Sequence, residues 1–236
     1  HQSLTGLKNG VYQVDVTAFY RAGWADNDAK AYEMLLNDND SLQHALLYAS
    51  TTNMTTAVAP LAFASVGATE EELATGVLSN QYGYIPNDMS AANDYMKAGK
   101  YPATSVLVYV SDGKLTIGVK KEKQLEGDWT ILDDWKLYYM GDSDESLSYF
   151  ASDYLGKSVD YETYFEENDD IYYYQPGYDL YIEARNALVE ATDAASVSAA
   201  MQSISQFVDF TDSYTYGQMY NYTQITDAKP MSEWPG

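Results

Sequence analysis

The chain of 236 residues contains no cysteine and only two histidines. The absence of cysteine excludes disulfides, thiol nucleophiles and cysteine-ligated zinc sites within this sequence. Two histidines, His1 and His44, leave little room for a histidine metal cluster or for a catalytic triad that depends on histidine. We interpret His44 as structural, because it lies beside a predicted strand. The sequence therefore points away from thiol, zinc and histidine chemistry.

Basic side chains are also scarce: 13 lysines and arginines stand against 35 aspartates and glutamates, a formal net charge of −22. This balance excludes nucleic acid as a partner, because phosphate binding needs clustered basic residues. It also opposes binding to anionic lipid and to sulfated or uronic polysaccharides, and it favours cations and neutral ligands. No apolar run approaches the roughly 20 residues of a membrane-spanning helix, so we predict no transmembrane segment in this chain.

Apolar side chains nevertheless make up 46% of the chain, enough to build a folded core. Residues 11–21 alternate between apolar and polar side chains, a period that is typical of a β-strand. Residues 45–48 and 56–63 are shorter strand candidates, and Pro60 predicts that the second one is bent or lies at a sheet edge. Two short helices are predicted over residues 70–75 and 90–98, the latter with Asp88 or Ser90 as N-cap.

The stretch from residue 106 to residue 119 predicts a β-hairpin. Residues 106–110 are rich in β-branched side chains, Asp112-Gly113 is a strong two-residue turn signal, and residues 115–119 alternate. Further on, Ile131, Asp133, Trp135, Leu137 and Tyr139 share one face of a predicted strand by its two-residue period. Asp133 would then be a carboxylate among large apolar side chains, which requires hydrogen bonds, a cation or a raised pKa.

The loop at residues 22–28 carries one candidate ligand-binding group. Trp24 in this Gly- and Asp-rich loop would suit stacking on the apolar face of a sugar ring. Arg21, Asp26 and Asp28 would then bind its hydroxyl groups. The alternative is that Trp24 folds back to cap the sandwich.

A second aromatic loop spans residues 81–87. Its Tyr82 and Tyr84 offer another aromatic platform for a ligand, or else they pack into the protein. Tyrosine is amphipathic and common at binding surfaces, and the chain contains 24 of them. That abundance weakens the case for any single tyrosine.

The composition changes after Gly141. Residues 142–177 form an acidic, tyrosine-rich connector. Within residues 178–236, the apolar stripes over 179–192 and 196–210 predict two helices that pack as an antiparallel hairpin, followed by an irregular tail. The domain organisation is therefore a β-sandwich over residues 1–141, the connector, and the helical hairpin.

Several motifs resemble a β-sandwich module of secreted and cell-surface proteins from Bacteroides-type bacteria. They are Gly6-Leu7-Lys8-Asn9-Gly10-Val11-Tyr12 with Ala18-Phe19-Tyr20-Arg21, Leu47-Tyr48-Ala49, the run over residues 110–119, and the run over residues 127–135. The most specific of them is Gly127-Asp128-Trp129-Thr130 followed by Asp133-Asp134-Trp135. The resemblance covers roughly residues 1–141.

The resemblance implies a mainly β fold, an antiparallel sandwich of the galactose-binding-like jelly-roll type, with its first strands upstream of His1. It implies an extracellular or outer-membrane surface location, with a signal or lipid anchor upstream. In related jelly rolls a carboxylate near the last strand helps to hold a structural Ca²⁺, and the resemblance would give Asp133 this role. The alternative from the residues alone is a hydrogen-bonded, buried Asp133.

These observations lead to three hypotheses about function. The first is a non-catalytic, surface-exposed or secreted module that binds a neutral glycan through loop aromatics. The second is a structural or adhesive module that binds a surface protein. The third is a glycoside hydrolase or lyase, which needs two facing carboxylates in a cleft. The runs of adjacent acids are typical of solvated faces, and no catalytic constellation is recognisable.

Overall fold

The structure is a computed structural model that describes residues 1–52, 54–67, 73–154, 172–174, 182–183, 185–191, 193, 195–197, 199–200, 203 and 228–230. Its strands are β1 (Gln2–Thr5), β2 (Gly10–Arg21), β3 (Ala45–Thr51), β4 (Met54–Pro60), β5 (Ala62–Phe63), β6 (Val77–Asn80), β7 (Gly83–Pro86), β8 (Ala103–Val110), β9 (Lys114–Lys121), β10 (Trp129–Gly141), β11 (Tyr172–Tyr174) and β12 (Ala228–Pro230). Its helices are α1 (Ala25–Leu35), α2 (Ala64–Gly67), α3 (Met89–Lys97) and α4 (residues 144–154). The fold is mainly β, as predicted.

Two four-stranded sheets form a sandwich-like core. The first sheet has the strand order β1-β9-β3-β4, and all its pairs are antiparallel. In the second sheet β2 pairs antiparallel with β10 and with β8, and its end pairs in parallel with β5. Among the described residues, β10 therefore lies at an edge of the second sheet and β4 at an edge of the first. The position of β4 agrees with the edge placement predicted from Pro60.

The alternation of β2 explains how the two sheets meet. Val14, Val16 and Ala18 are fully buried and point toward the first sheet, whereas Asp15 and Thr17 between them are half-buried on the opposite side. The facing layer consists of buried side chains from β3 and β9: Ala45, Leu47, Ala49, Leu115 and Ile117. The strand predicted over residues 11–21 is therefore confirmed. Burial of one face is the main source of stability of such an alternating strand.

The predicted hairpin over residues 106–119 is wrong, although both of its strands exist. β8 pairs with β2 in the second sheet, and β9 pairs with β1 and β3 in the first sheet. The Asp112-Gly113 turn, with Gly113 at φ +71°, therefore carries the chain from one sheet to the other. The physical reason is that β8 is buried from Val106 to Val110 on both of its faces, so burial in the second sheet decides its pairing.

A second, smaller core lies on the outer side of the second sheet. Phe19 of β2 points into it and packs with Ile85 of β7, with Ala92 and Tyr95 of α3, and with Tyr101. The α3 helix confirms the helix predicted at residues 90–98, and the Asp88 carboxylate caps it by accepting a hydrogen bond from the Ala91 N–H at 2.8 Å. The aromatic loop predicted at residues 81–87 is largely strand, since it contains β7, which pairs with β6.

The described part of the chain after Gly141 is mostly helical. α4 lies inside the predicted connector, and its Phe150 is buried with its ring centroid 6.2 Å from that of Tyr109. Residues 182–183, 185–189, 195–197, 199–200 and 203 are helical, and Leu188 and Val197 among them are buried. The antiparallel helical hairpin itself stays a prediction, because much of it falls outside the described residues. Of the helix predicted at 70–75, residues 70–72 also fall outside them, and residues 73–75 are not helical. No helix among the described residues is long and apolar enough to cross a membrane.

Candidate ligand-binding surface

Asp28 holds the start of α1 against the rest of the molecule. Its carboxylate is fully buried and accepts hydrogen bonds from the Ala22 N–H at 3.0 Å, from the Ser65 N–H at 2.9 Å and from the Ser65 hydroxyl at 2.5 Å. Burial raises the pKa of Asp28, while these hydrogen bonds and the nearby charge of Arg21 oppose the rise. Asp28 thus connects β2, α1 and α2.

Arg21 joins the loops at the same end of the second sheet. Its Nη1 donates to the Pro86 carbonyl oxygen at 3.2 Å and to Asn87 Oδ1 at 2.9 Å, and its Nη2 donates to the Gly127 carbonyl oxygen at 3.2 Å. Its guanidinium carbon lies 4.6 Å from the ring centroid of Trp129, the residue opposite Arg21 in the register of β2 and β10. The guanidinium is therefore held in a fixed position.

Direct ligand contact by Arg21 and Asp28, as predicted from the sequence, does not agree with this arrangement. Both side chains are buried. The two Nη atoms of Arg21 and both carboxylate oxygens of Asp28 are hydrogen-bonded to protein atoms, whereas the buried Arg21 Nε has no partner among the described residues. The sequence placed both beside an open loop, but residues from Ala25 onward form α1, and this helix buries Asp28 together with Ala29 and Ala31. Arg21 and Asp28 therefore hold α1 and the neighbouring loops in place and do not themselves face a ligand.

Trp24 is exposed at the start of α1, as the loop prediction required. It is the N-cap residue, and 54% of its surface is accessible. Its indole lies directly against Gly127, where a Cβ atom would come within 2.8 Å of Trp24 Nε1. Its ring centroid is 5.7 Å from the guanidinium carbon of Arg21. The indole is thus held by Gly127 and Arg21 while more than half of the residue stays accessible, so it is available for stacking.

Next to Trp24, α1 and the β6–β7 turn enclose two open depressions, which we call the α1–hairpin surface. One, of about 270 Å³, is lined by Asp26, Ala29, Lys30, Glu33, Asn80 and Gln81. The other, of about 480 Å³, is lined by residues 79–84 and thus includes Tyr82 and Tyr84. The two share Asn80 and Gln81, so the structure brings the predicted Asp26 into the same region as the predicted Tyr82 and Tyr84.

Asn80 fixes the turn against the helix. Its side-chain amide donates to the Ala25 carbonyl oxygen at 3.2 Å and to Ser65 Oγ at 3.0 Å, and its Oδ1 accepts from the Tyr82 N–H at 2.8 Å. Tyr82 also packs edge-on against Tyr32 of α1, with ring centroids 4.9 Å apart. The α1–hairpin surface is therefore preformed.

Lys30, Glu33 and Gln81 belong to this surface but were not predicted. Asp26, Lys30 and Glu33 follow the i, i+4, i+7 spacing of one helix face. That spacing is visible in the sequence once residues 25–35 are recognised as a helix. The α1 helix has only short buried side chains, and so it lacks the apolar stripe by which helices are usually recognised.

The predicted burial of Asp133 is wrong. Asp133 is exposed, and its Oδ1 accepts a hydrogen bond from the Asp134 N–H at 2.8 Å. The register of β10 with β2 shifts between Asp133 and Lys136, and this bulge inserts one extra residue. Ile131 therefore packs in the second core, whereas Leu137 packs against the sandwich core. The single apolar face expected for residues 131–139 is interrupted at the bulge.

Within the described residues, no group of three or more histidine, cysteine, aspartate or glutamate side chains is arranged to hold a metal ion. Calcium binding at Asp133 thus stays a prediction. Comparison of the chain with protein-family models, with curated proteins and with solved structures finds no match.

Proposed function

We propose that this protein is a non-catalytic module that binds a neutral glycan at Trp24 and the α1–hairpin surface, on a galactose-binding-like jelly-roll scaffold. The observation that carries the proposal is the exposed indole of Trp24, in contact with Gly127 and Arg21, at the start of the helix whose Asp26, Lys30 and Glu33 line a depression. A flat aromatic surface stacks on the C–H face of a sugar ring, and adjacent polar groups bind its hydroxyls.

The polar groups of the surface suit this role. Asp26, Lys30, Glu33 and Gln81 include both donors and acceptors, as sugar hydroxyls require. Gln81 Nε2 donates to Glu33 Oε2 at a long 3.4 Å, a contact that a sugar hydroxyl can replace. One stacking platform and a few hydroxyl bonds would contribute about 4 to 8 kcal/mol, a dissociation constant in the micromolar to millimolar range.

A glycan-array screen of the whole chain, run in calcium and repeated in EDTA, tests the proposal. We expect binding to one class of neutral glycan, with loss of that binding in Trp24→Ala. The matched control is Tyr149→Ala, since Tyr149 on α4 is 57% exposed and lies outside the α1–hairpin surface. A blank array with a folded protein, or equal binding by Trp24→Ala, would contradict the proposal.

The location and the cofactor belong to the same proposal. A glycan-binding module of the predicted Bacteroides-type class would act outside the cell or on the outer-membrane surface. A structural Ca²⁺ would involve the carboxylate of Asp133, which its exposure leaves accessible. Loss of glycan binding in EDTA, but not in calcium, would support the cation.

A second candidate function, binding of a surface protein, is favoured by exposed apolar side chains along β10. Leu132, Tyr138 and Met140 are 42%, 44% and 41% exposed on a strand that lies at a sheet edge among the described residues. Exposed apolar groups and open strand edges are frequent sites of protein association. Concentration-dependent mass in light scattering that Tyr138→Lys abolishes would favour this function.

The third hypothesis, a glycoside hydrolase or lyase, is supported by one pair of carboxylates. Asp26 and Glu33 line the same depression, and a glycosidase needs two carboxylates on either side of the bond that it cleaves. Incubating the array-positive glycan with the protein and analysing the products distinguishes the two functions. Release of shorter sugars, abolished by Glu33→Gln, would replace the binding proposal with a hydrolase.

A further inference from the structure

Part of the Trp24 indole contacts protein atoms, and part of it is accessible to solvent. Arg21 lies over the ring, with its guanidinium carbon 5.7 Å from the ring centroid, and the backbone of Gly127 lies against the same indole. Arg21 and Gly127 are joined by the hydrogen bond from Nη2 to the Gly127 carbonyl oxygen. Arg21 and Gly127 thus cover part of the indole, and we call the part of Trp24 that is accessible, 54% of the residue, its open face.

The charge of Arg21 is fixed. Three hydrogen bonds, to Pro86, Asn87 and Gly127, hold the two Nη atoms of Arg21, and the guanidinium carbon lies 4.6 Å from the ring centroid of Trp129. A guanidinium keeps its charge at every pH at which a protein stays folded. The positive charge of Arg21 next to Trp24 is therefore a permanent property of the surface.

We propose that Arg21 gives the open face of Trp24 a preference for neutral ring faces over protonated amines. Within the glycan binding proposed above, on which this inference rests, the surface selects neutral sugars against amino sugars. The attraction of a cation to an indole comes from the negative face of the ring. Arg21 is already attracted to the Trp24 ring in this way, and its charge repels a second cation that approaches the open face of the ring.

This preference opposes the charge of the whole chain. A net charge of −22 attracts cations to the protein from a distance, whereas Arg21 repels them at this one position. Asp26, two residues beyond Trp24, is exposed and also attracts cations. The comparison that isolates Arg21 is therefore one in which Asp26 and the other acids are unchanged.

Collisional quenching of Trp24 fluorescence measures the preference without any glycan. The probes are Cs⁺, iodide and neutral acrylamide at constant ionic strength, applied to the wild-type chain, Arg21→Gln and Arg21→Lys. The contribution of Trp24 among the four tryptophans is obtained by difference from the corresponding Trp24→Phe proteins. Arg21→Lys is the matched control, because it loses the planar fork of donors but keeps the charge.

We expect Cs⁺ to quench Trp24 about twofold better in Arg21→Gln than in the wild type, for a charge about 10 Å from the quencher in water. Acrylamide quenching should be the same in all three proteins, and Arg21→Lys should match the wild type with Cs⁺. Equal Cs⁺ quenching in Arg21→Gln and the wild type, with unchanged acrylamide quenching, would overturn the proposal.

A comparison within the wild type covers the case in which Arg21→Gln does not fold. With each quenching constant divided by that of free N-acetyltryptophanamide, we expect iodide to quench Trp24 at least as well as Cs⁺, the reverse of the order that the net charge favours. Stronger normalised quenching by Cs⁺ than by iodide would overturn the proposal. Preferential binding of a deacetylated amino-sugar oligosaccharide over its acetylated form would do the same. A blank glycan array would refute only the glycan function, since the quenchers report on the ring itself.

Discussion

Substituting Asp28 by asparagine is the most direct test of how the start of α1 is held. Burial raises the pKa of this carboxylate and its hydrogen bonds lower it. Burial is the larger effect, so the pKa of Asp28 lies above its ordinary value of 3.8. A raised pKa means that the folded state keeps the proton at a pH at which the unfolded chain has released it. The contribution of Asp28 to stability is then complete below pH 3.8 and is lost as the pH rises through the pKa of the folded state.

The geometry gives the size of the effect. A protonated Asp28 can donate to Ser65 Oγ, while its two oxygens still accept from the N–H groups of Ala22 and Ser65. Asparagine has only one acceptor oxygen, so one of these buried N–H groups loses its partner. An unsatisfied buried donor costs about 1 to 3 kcal/mol. We expect Asp28→Asn to lower the free energy of unfolding by that amount at the acidic end, and by less at neutral pH.

Urea unfolding from about pH 4.5 to about pH 8, above the isoelectric point near 4.1, measures the difference between the two proteins. Because the other acids are common to both proteins, their titration cancels in that difference. The control is Asp26→Asn on the exposed side of the same helix, which should stay within about 0.5 kcal/mol of the wild type throughout. A difference that widens as the pH rises would show that the hydrogen bonds outweigh burial, and it would refute the reasoning.

Three further outcomes are expected. Gly99→Ala, at φ +69° in open space, should cost about 1 kcal/mol of stability. Gly113→Ala, at φ +71° with a carbonyl oxygen 3.0 Å from the new Cβ, should cost about 1 kcal/mol more. Equal melting temperatures of the two variants would contradict this. Burial raises the pKa values of Tyr20 and Tyr101, so both phenols should stay protonated when exposed tyrosines ionise, and stability should fall as the pH rises above 10.0. Phenolate absorbance in the folded and urea-unfolded chain measures this, and identical titrations would disprove it. If Asp133 holds calcium, added calcium should raise the melting temperature of the wild type but not of Asp133→Asn; an equal rise in both would exclude Asp133 as a ligand.

The sequence indicated the part of the site that depends on local patterns. Trp24 follows a strand and a glycine, and this loop context left open whether it is exposed or folds back; the structure exposes it. Tyr82 and Tyr84 were recognised as an aromatic pair, and they line a depression that shares Asn80 and Gln81 with the one lined by Asp26. The roles of Arg21 and Asp28 were not predictable, because their partners Pro86, Gly127 and Ser65 are distant in the chain. A charged residue at a strand end looks the same in sequence whether the fold exposes or buries it.

The sequence by itself determined the long strands β2, β3, β8, β9 and β10, the position of α3 with its cap at Asp88 or Ser90, and the acidic character of the protein. The alternation of β2 and the Asp88 cap depend on residues two to four positions apart, so they are readable in any short window. Only the tertiary structure decided the partners of β8 and β9, the bulge in β10 and the meeting of α1 with the β6–β7 turn. Each of these depends on burial between segments far apart in the chain, and the two-residue period is the same whichever sheet a strand joins.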